Sequence, residues 1–350
     1  MLVASALAAL VTGCVIDAAP GAADDSNQAV TKGDAGTADA HDAGDAGEDA
    51  RDAGVHDAGS ARDAGDAGDA GDAGKDGATS TTTTLAWLPH LNTYRTMAGL
   101  PALTEDAAMT AGDKLHAKYI VQTGTIVHAE DKTSKYYTAT GDVAGQASNV
   151  AGGTALYTSN DVIDSWMAAP FHAVGLLDPR LQKIGFGEYY DATAKTLRYG
   201  AALDVVHGRV SVATAKATYP VMFPGDKQIV PLHTGVTELP SPLSACKNYS
   251  APFGLPIVLQ LGSGTTIPKV TGSTLQANGR NVDVCTFDET TYVNPVASSQ
   301  VEVRSVLNTR NAIVLVPRDP LIPGTTYRVT VQATGKTYTW TFAVASKVND

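Results

Sequence analysis

Apolar positions in the middle of the chain recur at helical spacing. Leu88, Leu91, Arg95 and Ala98 fall near one face after a Thr-rich lead-in, and Gly99 is a stop signal. Thr104 reads as an N-cap, with Glu105 and Asp106 in the first turn, where the helix dipole favours acids. Ala108, Ala111, Leu115 and Tyr119 carry this second helix on one face as far as Gly124. A third helix starts near Ser159, bears Val162 and Trp166 four apart, and stops at Pro170. A short fourth begins around Phe171–His172. The period then changes to two: Lys183–Tyr190 and Thr196–Val206 predict strands around the turn Asp191–Lys195. Helices followed by a hairpin predict an α+β sandwich for residues 85–208.

Residues 217–345 read as a second domain, all β. Short apolar runs recur between Pro and Gly signals: Tyr219–Phe223, Ile257–Leu261, Lys269–Leu275, Val301–Val303, Ala312–Val316, Thr326–Gln332 and Thr337–Val344. The last two alternate, with Tyr327, Val329 and Val331 facing Tyr338, Trp340 and Phe342 around a turn at Gly335-Lys336. About seven short strands predict a β-sandwich. The closing pattern of Pro317–Pro323, Thr325-Thr326-Tyr327 and Thr339–Phe342 resembles bacterial immunoglobulin-like domains.

The first 84 residues carry no such periodicity. Leu2–Val15 is an apolar run ending in Leu10-Val11-Thr12-Gly13-Cys14, which resembles a bacterial lipobox cut before an acylated Cys. No Lys or Arg precedes the run, and an ordinary secretion signal is the alternative. Residues 1–14 are therefore expected to be a lipoprotein signal ending at Cys14, which would place the protein on the envelope, in the outer membrane or at the surface. Several acyl chains anchor stably where one is marginal. Residues 15–84 hold 16 acidic and four basic residues, a net of −12, and repeat Asp-Ala-Gly nine times between Asp34 and Gly74. Asp and Gly form poor helices and strands and Ala buries little, so a disordered tether is expected.

The whole chain of 350 residues has a net charge of −11, so the remainder is close to neutral. A nucleic-acid partner would need a clustered basic face, and none is encoded. Hydrophobic residues make up 43%, enough to fill the cores of two domains. Cys246 and Cys285 form an even pair in an exported chain, which predicts a disulfide. It would close a loop of about 40 residues, worth roughly 4 kcal/mol on a chain-entropy basis. A two-Cys metal site is the alternative, but no His lies nearby in sequence.

Leu91-Asn92-Thr93-Tyr94-Arg95, Leu100–Thr104, His128-Ala129-Glu130, Ser148-Asn149-Val150-Ala151, Trp166, and His172 followed by Gly185-Phe186-Gly187 form an ordered series. It resembles the CAP superfamily of cysteine-rich secretory, antigen 5 and pathogenesis-related 1 proteins. The resemblance implies a three-layer α-β-α sandwich with a surface cleft. It also implies a cleft with two His and two Glu, where the His pair can hold a divalent metal such as zinc. His128 and His172 match the two His. The Glu positions are Ser148 and Ala169 here.

The expected ligand cleft comprises His128, Glu130, Ser148, Asn149 and His172, with His128 and His172 as metal candidates. Zinc normally takes three or four protein ligands, so Glu130 or water would have to complete the shell. In an extended segment Glu130 would point the same way as His128. No other general base is evident, and no Gly-x-Ser-x-Gly elbow surrounds Ser148. His116 reads as a flank or lid residue beside a core-facing Leu115. Tyr136, Tyr137 and Tyr157 either line a cleft or are half-buried loop aromatics. The leading expectation is a surface-anchored binding protein for a lipid, glycan or protein. The alternatives are a metal-assisted hydrolase of extracellular polymers and a structural envelope protein.

Overall fold

A computed structural model describes residues 86–349. The lipidation candidate Cys14 and the tether 15–84 lie outside the described residues. Helix α1 (Trp87–Met97) and the two-residue strand β1 (Thr104–Glu105) lead into α2 (Ala107–Thr123). Then follow α3 (Ala139–Gly145), β2 (Ser148–Gly153), α4 (Ser159–Met167), α5 (Pro170–Leu176), β3 (Lys183–Tyr190) and β4 (Tyr199–Asp204). The strands form one sheet in the order β1-β3-β4-β2. β1 runs parallel to β3, and the other pairs are antiparallel.

The sheet is the middle layer of three. On one face α2 lies so close that a Cβ at Gly187 would strike the backbone of Asp113 and Lys114. On the other, Phe186 packs against Trp87 of α1, 5.2 Å between ring centroids, and Trp166 of α4, at 6.2 Å. Aromatic burial of this kind makes Trp166 the rivet of the helical layer, as its place in the sequence predicts.

Thr104 is not the cap of α2. It pairs with Lys183 in β1, and Asp106 caps instead, accepting from Ala108 N at 3.1 Å and Met109 N at 3.4 Å. The buried face of α2 also differs from the expected one. Ala108, Ala111 and Leu115 are exposed, whereas Thr110, Asp113, His116, Ala117 and Ile120 are buried. Three polar side chains, Thr110, Asp113 and His116, take part of the place of the apolar stripe because the neighbouring segments hydrogen-bond them.

The single-turn α6 (Val212–Ala215) leads into the C-terminal segment. There β5 (Val221–Phe223), β6 (Gln228–Val230), β7 (Ile257–Gln260), β8 (Val270–Ala277), β9 (Arg280–Val282), β10 (Val284–Asp288), β11 (Ala312–Pro317), β12 (Thr326–Ala333) and β13 (Lys336–Val344) build two sheets. Their orders are β10-β11-β7-β5 and β6-β13-β12-β8-β9. Residues 297–308, which contain the expected strand Val301–Val303, form helix α7 (Ala297–Asn308). Val303, Val306 and Leu307 are its buried side, at helical spacing, and Val301 is 69% exposed. The segment is thus β-rich rather than all β.

The four-stranded sheet is covered on both faces, which is why Ala312–Pro317 is apolar without alternation. Ile257, Leu259, Ile313 and Leu315 join the core that includes Val329 and Phe342 of the five-stranded sheet. Val258, Val314 and Val316 face a second cluster holding Phe287, Tyr292, the apolar side of α7, and Phe171 of α5. Phe171 sits edge-on to Tyr292 at 5.5 Å. The first core also contains Trp166 and Leu203, so one apolar interior runs through both segments.

Cys246 and Cys285 are disulfide-bonded, as the even pair of cysteines leads one to expect. The bridge joins β10 to the turn after Pro242–Ala245. Replacing both cysteines by serine is expected to lower unfolding stability by about 2–4 kcal/mol, the cost of reopening such a loop. The check is the urea midpoint against wild type under oxidising conditions, and an unmoved midpoint would refute it.

Candidate functional site

The residues expected in the cleft are all internal: His128 is 8% exposed, Glu130 4%, Ser148 3%, Asn149 5% and His172 0%. They come from three places: His128 and Glu130 from the segment after α2, Ser148 and Asn149 from β2, and His172 from α5. His128 lies in the segment after α2, and its Nδ1 meets the carbonyl of Gly145, in α3, at 2.6 Å. A carbonyl only accepts, so His128 Nδ1 carries a hydrogen.

Glu130 does not turn to His128. Its Oε1 lies 3.1 Å from Nδ1 of His116, and its Oε2 accepts from Thr138 N at 2.8 Å. His116 Nε2 faces the Val127 carbonyl at 2.8 Å. His116 is therefore a fully buried partner of Glu130 rather than a flank or lid residue. Both its ring nitrogens meet acceptors, so one proton must lie between Nδ1 and Oε1. Helix α3 closes over the pair through Gly145, where a Cβ would collide with the His116 ring. Asp142 of α3 accepts from Glu130 N at 2.8 Å.

His172 sits in the first turn of α5, a seven-residue helix with no side-chain cap of its own. The cap comes from Glu238, 66 residues later. Glu238 Oε1 accepts from Phe171 N at 2.9 Å, and Oε2 accepts from His172 N at 3.3 Å. The same Oε2 lies 2.8 Å from His172 Nδ1. At the other end, Gln260 Nε2 donates to the carbonyls of Val174 at 3.4 Å and Leu177 at 3.2 Å. Burial pushes the His172 imidazole down to about 3, opposed by the Val150 backbone. Burial also pushes the Glu238 carboxyl well above the usual carboxylate range, against the two backbone N–H groups. Both partners are thus driven toward neutral forms sharing one proton between Oε2 and Nδ1.

The absence of acids expected from Ser148 and Ala169 is corrected by the fold. Ser148 Oγ is 2.7 Å from Asp113 Oδ1, a carboxyl supplied by α2. Glu238 reaches the helix that Ala169 opens. Neither could be found by position-by-position matching, because the acids come from other elements. A weak signal did exist: Asp113 and His116 lie three apart on α2, where an acid and an imidazole need buried partners.

These groups do not assemble a metal shell. Among the described residues no three His, Cys, Asp or Glu side chains are grouped to hold an ion. Glu130 is committed to His116 and Glu238 to α5, so the donor set does not fit zinc. Elsewhere, Asp178 pairs with Arg180 at 2.7 Å and with Arg310 at 3.3 Å, an internal ion cluster. His207 is half-exposed and lies 2.6 Å from Asp204. Tyr136, Tyr137 and Tyr157 are half-buried.

Residues 88–199 match the profile of the CAP, or cysteine-rich secretory protein, family. No curated protein matches the chain significantly. The first segment thus resembles the CAP superfamily both in its ordered motifs and in its α-β-α layers.

Glu238→Ala would leave two buried N–H groups without their acceptor and one imidazole nitrogen without its hydrogen-bond partner. Each such loss costs about 1–3 kcal/mol, so a destabilisation of about 3–5 kcal/mol is expected in thermal or urea unfolding. A loss below about 1 kcal/mol would contradict this account of α5. Elemental analysis of purified protein is expected to find well under one zinc per chain. One tightly held zinc, released by His128→Ala, would refute the misfit.

Proposed function

We propose that this chain is an extracellular, lipid-anchored CAP-domain protein that works by binding a ligand or partner and not by hydrolysis. The observation behind this reading is that each carboxylate near the two imidazoles already has a structural task inside a sealed core. Glu238 caps α5, Glu130 holds His116, and Asp113 meets Ser148. A hydrolytic water needs a base open to it, and His172 is fully buried. His128 and His172 then serve as internal scaffold, and the ligand, whether lipid, glycan or protein, is met on the outer surface of the CAP-like domain.

The exported location rests on the Cys246–Cys285 disulfide and on the family, whose members are typically extracellular. Among the described residues no helix is long and apolar enough to cross a membrane. Anchoring is assigned to acylated Cys14, with residues 15–84 as the spacer.

A metal-assisted hydrolase is the second reading. It draws on the arrival of Asp113 and Glu238 beside Ser148 and His172, where acids were not expected. Assays on peptide, ester and glycan substrates separate the two. Turnover at background is expected for wild type; clear turnover abolished by His172→Ala would replace the binding reading with the hydrolase. Cys14→Ser is expected to move the protein from the membrane fraction to the soluble one. Retention of the variant in the membrane fraction would remove the anchor from the proposal.

A further inference from the structure

Ser148 Oγ has one hydrogen and two oxygen neighbours at bonding distance. Ala144 O lies 2.7 Å away and Asp113 Oδ1 also 2.7 Å away. The Ala144 carbonyl carries no hydrogen. If the hydroxyl donates to it, the Asp113 contact needs a second hydrogen, which only the carboxyl can bring. If the hydroxyl donates to Asp113, two bare oxygens oppose each other across the Ala144 contact.

The surroundings favour the first arrangement. Asp113 is 0% exposed, and among the described residues no cation is paired with it. From β4 it meets Asp204, whose N donates to Asp113 Oδ2 at 3.4 Å and whose carboxylate repels a second negative charge. Asp204 itself is engaged on its far side by His207 and by Val206 N at 2.9 Å. From β2 it meets only the Ser148 hydroxyl. β3 faces it with backbone at Gly187, and Asp142 of α3 is turned to Glu130 N. On α2 itself Lys114 is exposed and His116 is turned to Glu130.

We propose that Asp113 is a neutral carboxylic acid that donates its proton to Ser148 Oγ, and that this bond is an alkaline-sensitive latch holding helix α2 to strand β2. Ser148 and Asp204 are direct partners across β2 and β4, so the latch sits where helix, edge strand and inner strand meet. Losing the proton puts a charge beside Asp204 in a dry site and reverses the demand on the Ser148 hydrogen, which leaves the Ala144 carbonyl. Burial, with Asp204 adding to it and the Ser148 and Asp204 hydrogen bonds opposing, pushes the Asp113 carboxyl up to about 8.

The sign follows directly. The unfolded chain releases this proton near its ordinary value of 3.8, and the folded chain keeps it to about 8. The folded state binds more protons across that interval. Stability therefore falls as pH rises through it and levels off above it.

Asp113→Asn tests this, because its amide can donate to Ser148 and accept from Asp204 N at any pH. Wild type and variant are expected to melt within about 2 °C of each other near pH 4, and the variant several degrees higher near pH 9. Backbone amides of residues 148–153 should exchange several-fold faster in wild type than in the variant at the alkaline end, and equally at the acid end. Carboxyl-carbon NMR of wild type, which needs no folded variant, gives the direct reading: a titration midpoint above about pH 6 supports the latch. A midpoint below that, or a melting difference constant over the whole range, overturns it.

Discussion

A seven-residue helix cannot hold itself together, and α5 is held from outside at both ends. Its first N–H groups are taken by Glu238 and its last carbonyls by Gln260, both from the C-terminal segment. Arg95 of α1 adds a bond to Leu176 O at 2.7 Å. Phe171, on the same helix, is the first segment's contribution to the aromatic cluster beneath α7. An isolated helix of this length would not form in water, so its stability comes from these partners. The position of His172 is thus set by residues far along the chain, and the two segments share one interior.

That dependence changes what the histidines mean. By motif, the chain keeps two imidazoles and loses two acids. In the fold, acids return from other elements, but with different work. Glu238 reads a helix terminus as much as an imidazole, and its carboxyl is pushed toward neutrality by burial. Glu130, the one acid close to His128 in sequence, serves His116. A site can contain the chemical groups of a catalyst and still be a packed core when each of its acids is already engaged. On the proposed reading the functional weight then moves to the exterior of the CAP-like layers.

The strongest departures from the sequence reading have a single cause. Periodicity arguments assume that the inner face of a helix is apolar, and α2 breaks the assumption at Thr110, Asp113 and His116. Counting Ala108, Ala111 and Leu115 as the inner stripe rotated the helix by about a third of a turn. Likewise Val301 and Val303 alternate as a strand would, yet the spacing of Val303, Val306 and Leu307 prevailed because that face covers Val314 and Phe287. Strand β2, with its two glycines, carried too little apolar pattern to be seen at all.

Sequence alone determined what depends on local order. The early helices, the Lys183–Tyr190 hairpin and the alternation of Tyr327–Val331 against Tyr338–Phe342 follow from spacing along the chain, the disulfide from an even pair of cysteines, and the CAP likeness from an ordered series of motifs. Tertiary structure decided which acid meets which imidazole, that residues 297–308 cover a sheet as a helix instead of adding a strand, and that the histidines are sealed. Those outcomes rest on contacts between residues 14 to more than 80 positions apart, such as His116 with Glu130, Asp113 with Ser148 and Gln260 with Val174. Hydrogen-bond partners at such separations leave no periodic trace, because burial and not neighbourhood selects them.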